Sequence, residues 1–134
     1  MRSLLFVDDN DLLAETVVMA LGNLGLEVAA VQNAEHALTL LNERRVDAAV
    51  IDVHLGDGTG GIELARQVLE SSPGVAVVLT TAYAMPELDI PEGATVLEKP
   101  YRFGDLFLAA GHEPPLELPS SLKVPSDPSD DASW

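Results

Sequence analysis

Short apolar runs closed by polar residues alternate along the chain with longer stretches in which apolar residues recur every three or four positions. Leu4 to Val7 is the first run, closed by Asp8 and Asp9, and predicts a strand buried on both faces. A helix follows. Asn10 can accept from the free N–H groups of a first turn, Asp11 and Glu15 suit the positive end of the dipole, and Leu13, Val17, Leu21 and Leu24 share one face before Gly25 supplies a left-handed stop. Val28 to Val31 predicts a second strand, Asn33 a second cap, and Ala34, Ala37, Leu38 and Leu41 the apolar face of a second helix. Ala48 to Val53 predicts a third strand. Past the glycine-rich stretch that begins at Gly56, Ile62, Ala65 and Leu69 form a helix with Arg66 at its wet edge, closed by Pro73 and Gly74. Val75 to Thr80 and Thr95 to Leu97 are the fourth and fifth strands, and Tyr101 to Ala110 a last helix weakened by Gly104.

Strands alternating with helices, none joined by a hairpin signal, imply an α/β fold with a parallel sheet covered on both faces by right-handed crossovers. One unit departs from the pattern. Pro86, Pro91 and Gly93 fall between the fourth and fifth strands, and a proline inside a helix costs about 3 kcal/mol. The fourth helix is therefore expected to be short, irregular or absent.

Composition narrows the function classes. A chain of 134 residues, 47% hydrophobic, suits one core. Pro114, Pro115, Pro119, Pro125 and Pro128 stand among serines and aspartates without apolar periodicity, so residues 1–110 are expected to fold and 111–134 to form a flexible tail. Seven Lys and Arg against 22 Asp and Glu give a formal charge of -15, which repels phosphate backbones and anionic headgroups; neither nucleic acid nor a membrane surface is an expected partner. Without cysteine there is no disulfide frame, thiol nucleophile or thiolate metal site. The first apolar run is too short for a signal peptide or a membrane span, so a cytoplasmic location is the expectation.

In an open α/β sheet, ligands bind beyond the carboxyl ends of the strands. Polar residues gather there: Asp8 and Asp9 after the first strand, Asp52 at the third, Thr80 and Thr81 at the fourth, Glu98 and Lys99 at the fifth. Carboxylates about 4 Å apart repel by roughly 4 kcal/mol per pair at an effective dielectric near 20, which calls for a neutralising cation. Lys99 supplies one charge, and Mg²⁺, which prefers carboxylate, carbonyl and water oxygens, suits the remainder. A cation, a hydroxyl, an ammonium and a nucleophilic carboxylate are the components of a phosphoryl-transfer centre.

Phe6-Val7-Asp8-Asp9-Asn10, Ile51-Asp52-Val53-His54-Leu55 with Gly60 eight residues past Asp52, Leu79-Thr80-Thr81-Ala82-Tyr83, and Glu98-Lys99-Pro100-Tyr101 together resemble the receiver domain of two-component response regulators over roughly residues 2–110. The resemblance implies a flavodoxin-like doubly wound five-stranded sheet and a phosphorelay role in signal transduction. It implies that Asp52 accepts a phosphoryl group from a histidine of a histidine kinase, hybrid kinase or histidine phosphotransfer protein. Asp9, Asp52 and the backbone carbonyl of His54 would ligate Mg²⁺, Asp8 would hold a metal-bound water, and Thr81 and Lys99 would meet the phosphoryl oxygens. Thr81 is chosen over Thr80 because the family's threonine precedes a small residue, here Ala82. The Lys99-Pro100 bond resembles one that is cis in the family.

Plainer roles stand beside these. Asp8 and Asp9 could cap the first helix, Thr80 is expected to be an ordinary strand threonine, the His54 ring an exposed loop group, and Gly56, Gly58, Gly60 and Gly61 turn glycines. The chain departs from the family at Val96, where receivers carry an aromatic residue, so ordering of the Tyr83 to Gly93 segment on phosphorylation replaces an aromatic switch as the expectation. Two other functions fit less of the pattern: a phosphorylation-independent binding module with the same fold, and a small Mg²⁺-dependent phosphatase, whose acids are commonly spaced Asp-x-Asp and not adjacent.

Overall fold

The computed structural model describes residues 2–55, 60–82 and 89–112. Its strands are β1 (Ser3–Val7), β2 (Glu27–Val31), β3 (Ala48–Asp52), β4 (Ala76–Thr81) and β5 (Ala94–Glu98). Among the described residues the helices are α1 (Asp11–Gly22), α2 (Ala34–Glu43), α3 (Gly60–Ser71) and α4 (Phe103–Ala109). The strands form one parallel sheet in the order β2-β1-β3-β4-β5. Successive residues of a strand point to opposite faces, so each apolar run feeds two cores. Leu4, Phe6, Ala48, Val50 and Val78 pack with Leu13, Val17 and Leu21 of α1 and with Phe103, Leu106 and Phe107 of α4. Leu5, Val7, Ala49, Ile51, Val77 and Leu79 pack with Ala37 of α2 and with Ile62, Leu64, Ala65 and Val68 of α3. This is the doubly wound arrangement.

Local signals place the helices. Asn10 accepts from the Leu13 N–H at 3.1 Å and Asn33 from the His36 N–H at 2.9 Å, while Gly25 adopts φ +90° after α1. The last helix begins at Phe103, two residues later than the sequence predicts. Tyr101 turns into the core, and the Asp105 carboxylate closes the first turn by accepting from the Arg102 N–H at 2.9 Å. The expectations for a broken fourth helix and for an ordering Tyr83 to Gly93 segment fall largely on residues 83–88, outside the described residues, as does the tail beyond His112. No helix among the described residues is long and apolar enough to cross a membrane.

At the pole opposite the strand ends just considered, Asp47 ties the start of β1 to the start of β3. Its Oδ2 accepts from the N–H groups of Arg2 at 2.7 Å and Ser3 at 3.0 Å, and these bonds hold its pKa below the ordinary 3.8. A carboxyl with a depressed folded pKa contributes stability that is complete above the unfolded value and is lost as pH falls through the folded one. Asp47→Asn is therefore expected to cost about 0.5–1 kcal/mol at neutral pH. In chemical denaturation the difference from wild type should close as pH drops below 3.8; a constant difference across that range would contradict this role.

Candidate functional site

The sheet order places β1 between β2 and β3, so the connections leaving β1 and β3 diverge to opposite faces and open a crevice at their carboxyl ends. Asp8 follows β1, and its N–H continues the ladder to the Val31 carbonyl at 3.1 Å. Asp52 is the last residue of β3, in register with Thr80 of β4, and Thr81 pairs with Glu98 of β5. The Lys99 N–H donates to the Thr81 carbonyl at 2.8 Å, which carries the Lys99 side chain over the same rim. Asp8 and Asp52 continue the alternation of Leu4 and Phe6 and of Ala48 and Val50, so their side chains lie towards the face covered by α1 and α4.

Asp8, Asp9 and Asp52 each bring a carboxylate oxygen within 4.8 Å of the others. Asp8 and Asp52 are buried and Asp9 is exposed. Lys99 Nζ stands 3.4 Å from Asp8 Oδ2 and 3.6 Å from Asp52 Oδ2. Asp8 Oδ1 accepts from the Asn10 N–H at 3.0 Å, and Asp52 Oδ1 from the His54 N–H at 3.1 Å. Burial pushes the Asp8 pKa above its ordinary value against the pull of Lys99 and the Asn10 N–H, with the Asp52 charge pushing the same way as burial. Three carboxylates against one ammonium leave negative charge in a partly buried cluster. Hard oxygen donors on one side of a crevice suit a divalent cation such as Mg²⁺, which keeps several non-protein ligands. A cleft of about 210 Å³ opens beside Asp9, bordered by Asn33, Leu55 and Gly60.

Asp8 and Asp9, Asp52, and Lys99, from three separate segments of the sequence, are thus gathered in one place, and Thr81 lies on the strand between Asp52 and Lys99. Thr80 and Thr81 are both buried. His54 directly follows this cluster; its side chain is half-buried, not exposed as the sequence suggests, because the chain turns inward towards the buried Leu55. The Lys99–Pro100 bond is cis. Val96, at 42% exposed, offers no aromatic ring to bury. Of the glycines expected in turns, Gly56 and Gly58 lie outside the described residues, and Gly60 and Gly61 need a correction: they form the first turn of α3, where a Cβ on either would strike the backbone of Leu55 or of Asp52 and Val53. Spacing identifies Gly60, yet the tighter approach is at Gly61, which donates its N–H to the Val53 carbonyl at 3.0 Å. The doubled glycine before an apolar helix was the available signal.

The family model described as the response regulator receiver domain matches residues 4–109. The response regulator receiver protein CpdR of Brucella abortus is 34% identical over 109 residues, covering 78% of this chain and 89% of its own. The DNA-binding response regulator MtrA of Mycobacterium tuberculosis is 37% identical over 81 residues; the match covers 60% of this chain but only 35% of MtrA. Among solved structures, the response regulator TrrA of Thermotoga maritima in complex with Mg²⁺ and BeF aligns with TM-score 0.69 at 26% identity, covering 79% of this chain and 93% of that one. The complex of histidine kinase ThkA with TrrA aligns with TM-score 0.67 at 26% identity, covering 79% and 92%.

Proposed function

The chain belongs to the response regulator receiver family of two-component signal transduction, and from that premise we propose that it is a phosphoacceptor module whose nucleophile is Asp52. The observation that carries this reading is the convergence of Asp8, Asp9 and Asp52 at the carboxyl ends of β1 and β3, with Lys99 against Asp8 and Asp52. The phosphoryl donor is a phosphohistidine on a histidine kinase, hybrid kinase or histidine phosphotransfer protein; the TrrA–ThkA complex supports a kinase partner. An Asp52 carboxylate oxygen attacks phosphorus, the P–O bond forms as the P–N bond breaks, and the donor imidazole keeps the electron pair and takes a proton from solvent. When bound, Mg²⁺ neutralises charge on the transferring oxygens. Asp8, Asp9, Asp52 and the His54 carbonyl would hold it, Asp8 through water. The His54 N–H orients Asp52, Lys99 pairs with a phosphoryl oxygen, and the Thr81 hydroxyl donates to another. The chain is a signalling domain that acts on its own aspartate, and no external substrate is turned over. Its charge of -15 argues against nucleic acid as a direct partner of this segment.

Beryllofluoride binding with Mg²⁺ tests the assignment of Lys99. In Lys99→Ala the ammonium no longer repels the cation, so Mg²⁺ affinity measured by NMR titration should hold or rise. Beryllofluoride affinity should fall about tenfold or more, the equivalent of one charge-assisted hydrogen bond. A variant that loses Mg²⁺ affinity and keeps beryllofluoride affinity would reverse the assigned roles.

A further inference from the structure

Two of the chain's seven Lys and Arg residues, Arg44 and Arg45, are exposed in the turn between α2 and β3, at the pole opposite the acidic rim. Acids outnumber these cations 22 to 7, yet neither side chain makes an ion pair with another described residue. Both border a groove of about 430 Å³ between that turn and the one joining α3 to β4. Leu41, Val46, Pro73 and Val75 give it apolar walls, and among the described residues Glu43 is the one acid in its lining. Arg45 reaches across it: a Cβ on Gly74 would stand 3.0 Å from the Arg45 Nη2. The bare backbone at 74 makes room for the guanidinium.

The chain carries an acidic segment to this same pole. α4 follows the rim residues Lys99 and Pro100 and runs back along the sheet, and Ala110 beyond its end shares a core cluster with Ala76, which starts β4 one residue after Val75 of the groove. Residues 113–119, Glu-Pro-Pro-Leu-Glu-Leu-Pro, follow within a few positions. Extended chain advances about 3.3 Å per residue, so seven residues reach about 23 Å, enough to pass round the end of the sheet. Glu113 and Glu117 complement the two arginines, whose planar forks suit carboxylates, and Leu116 and Leu118 suit the apolar walls. Prolines at 114, 115 and 119 lower the entropy lost on ordering, and so short a tether keeps the segment at about millimolar effective concentration. We infer that this groove is the docking seat of residues 113–119, with the Glu113 and Glu117 carboxylates paired to Arg44 and Arg45. It lies at the far pole from Asp52, so its occupancy stands apart from the phosphoacceptor reading.

Backbone NMR relaxation on the full chain and on an Arg44→Glu, Arg45→Glu double variant tests the docking. In wild type at low salt, residues 113–119 should show order parameters of about 0.7 or more, falling below about 0.6 in the variant and likewise in wild type at about 0.5 M salt. Adding Glu113→Lys and Glu117→Lys to the double variant should restore the order, which separates charge pairing from damage to the turn. Order parameters below about 0.6 for this segment in wild type, or equal order in wild type and the double variant, would overturn the inference. Ordering that appears only as protein concentration rises would overturn it too, and would give the groove to a second copy of the chain.

Discussion

Asp52→Asn should take up no phosphoryl group from acetyl phosphate and Mg²⁺, while wild type should gain one. The amide is close in size to the carboxylate and can still accept from the His54 N–H at the present 3.1 Å, so β3 should keep its pairing with β4. What changes is nucleophilicity, which a neutral amide lacks. Stability should hold or rise, because Asp52 repels the buried Asp8 and that repulsion ends with the charge. Intact mass spectrometry reads the uptake and thermal unfolding reads the fold. Unimpaired uptake by Asp52→Asn would remove Asp52 as the acceptor; a large fall in its melting temperature would mean that the carboxylate is structural.

Gly61→Ala should produce the largest loss of stability among single methyl additions at the site. A Cβ there would lie 1.9 Å from the Asp52 carbonyl oxygen, 2.7 Å from its carbon and 2.9 Å from Val53 Cα. All three are backbone atoms, which no rotamer change can move aside. The Gly61 N–H bonds the Val53 carbonyl at 3.0 Å, and the Val53 N–H bonds the Thr80 carbonyl at 2.9 Å. The added methyl must therefore push the start of α3 off the end of β3, or distort the strand that carries Asp52. Overpacking of this kind together with a lost hydrogen bond costs about 2–4 kcal/mol, equivalent to a drop of roughly 8 °C or more in melting temperature. Phosphoryl uptake should fall with it, since small displacements of reacting groups are expensive. Gly22→Ala is the control: nothing lies within 4 Å of its Cβ position, and alanine favours helix. A wild-type melting temperature for Gly61→Ala would contradict the close approach.

The parts of this fold written in local chemistry were legible from the sequence. Asn10, Asn33 and Gly25 mark helix ends through bonds and dihedrals that involve only their near neighbours. The continuous runs of β1 and β3 announce a sheet covered on both faces. The acids and Lys99 could be placed at one rim because a parallel sheet sends every strand end the same way. Features set by distance across the fold were harder. Gly60 follows from counting residues past Asp52, whereas the clash at Gly61 depends on how closely α3 meets β3. Tyr101 reads in sequence as the first residue of the last helix, and only the fold shows it turned into the core before α4 begins. Asp47 attracts no notice as the polar residue before β3, yet it bonds the N–H groups of Arg2 and Ser3, more than forty positions away.

Peptide-resolved mass spectrometry after incubation with acetyl phosphate, with and without Mg²⁺, bears most directly on the central claim. One phosphoryl group, released by hydroxylamine as an acyl phosphate is, should appear on the peptide containing Asp52, formed with Mg²⁺ and absent in EDTA. A phosphoryl group on a peptide lacking Asp52, or equal labelling without the metal, would contradict it.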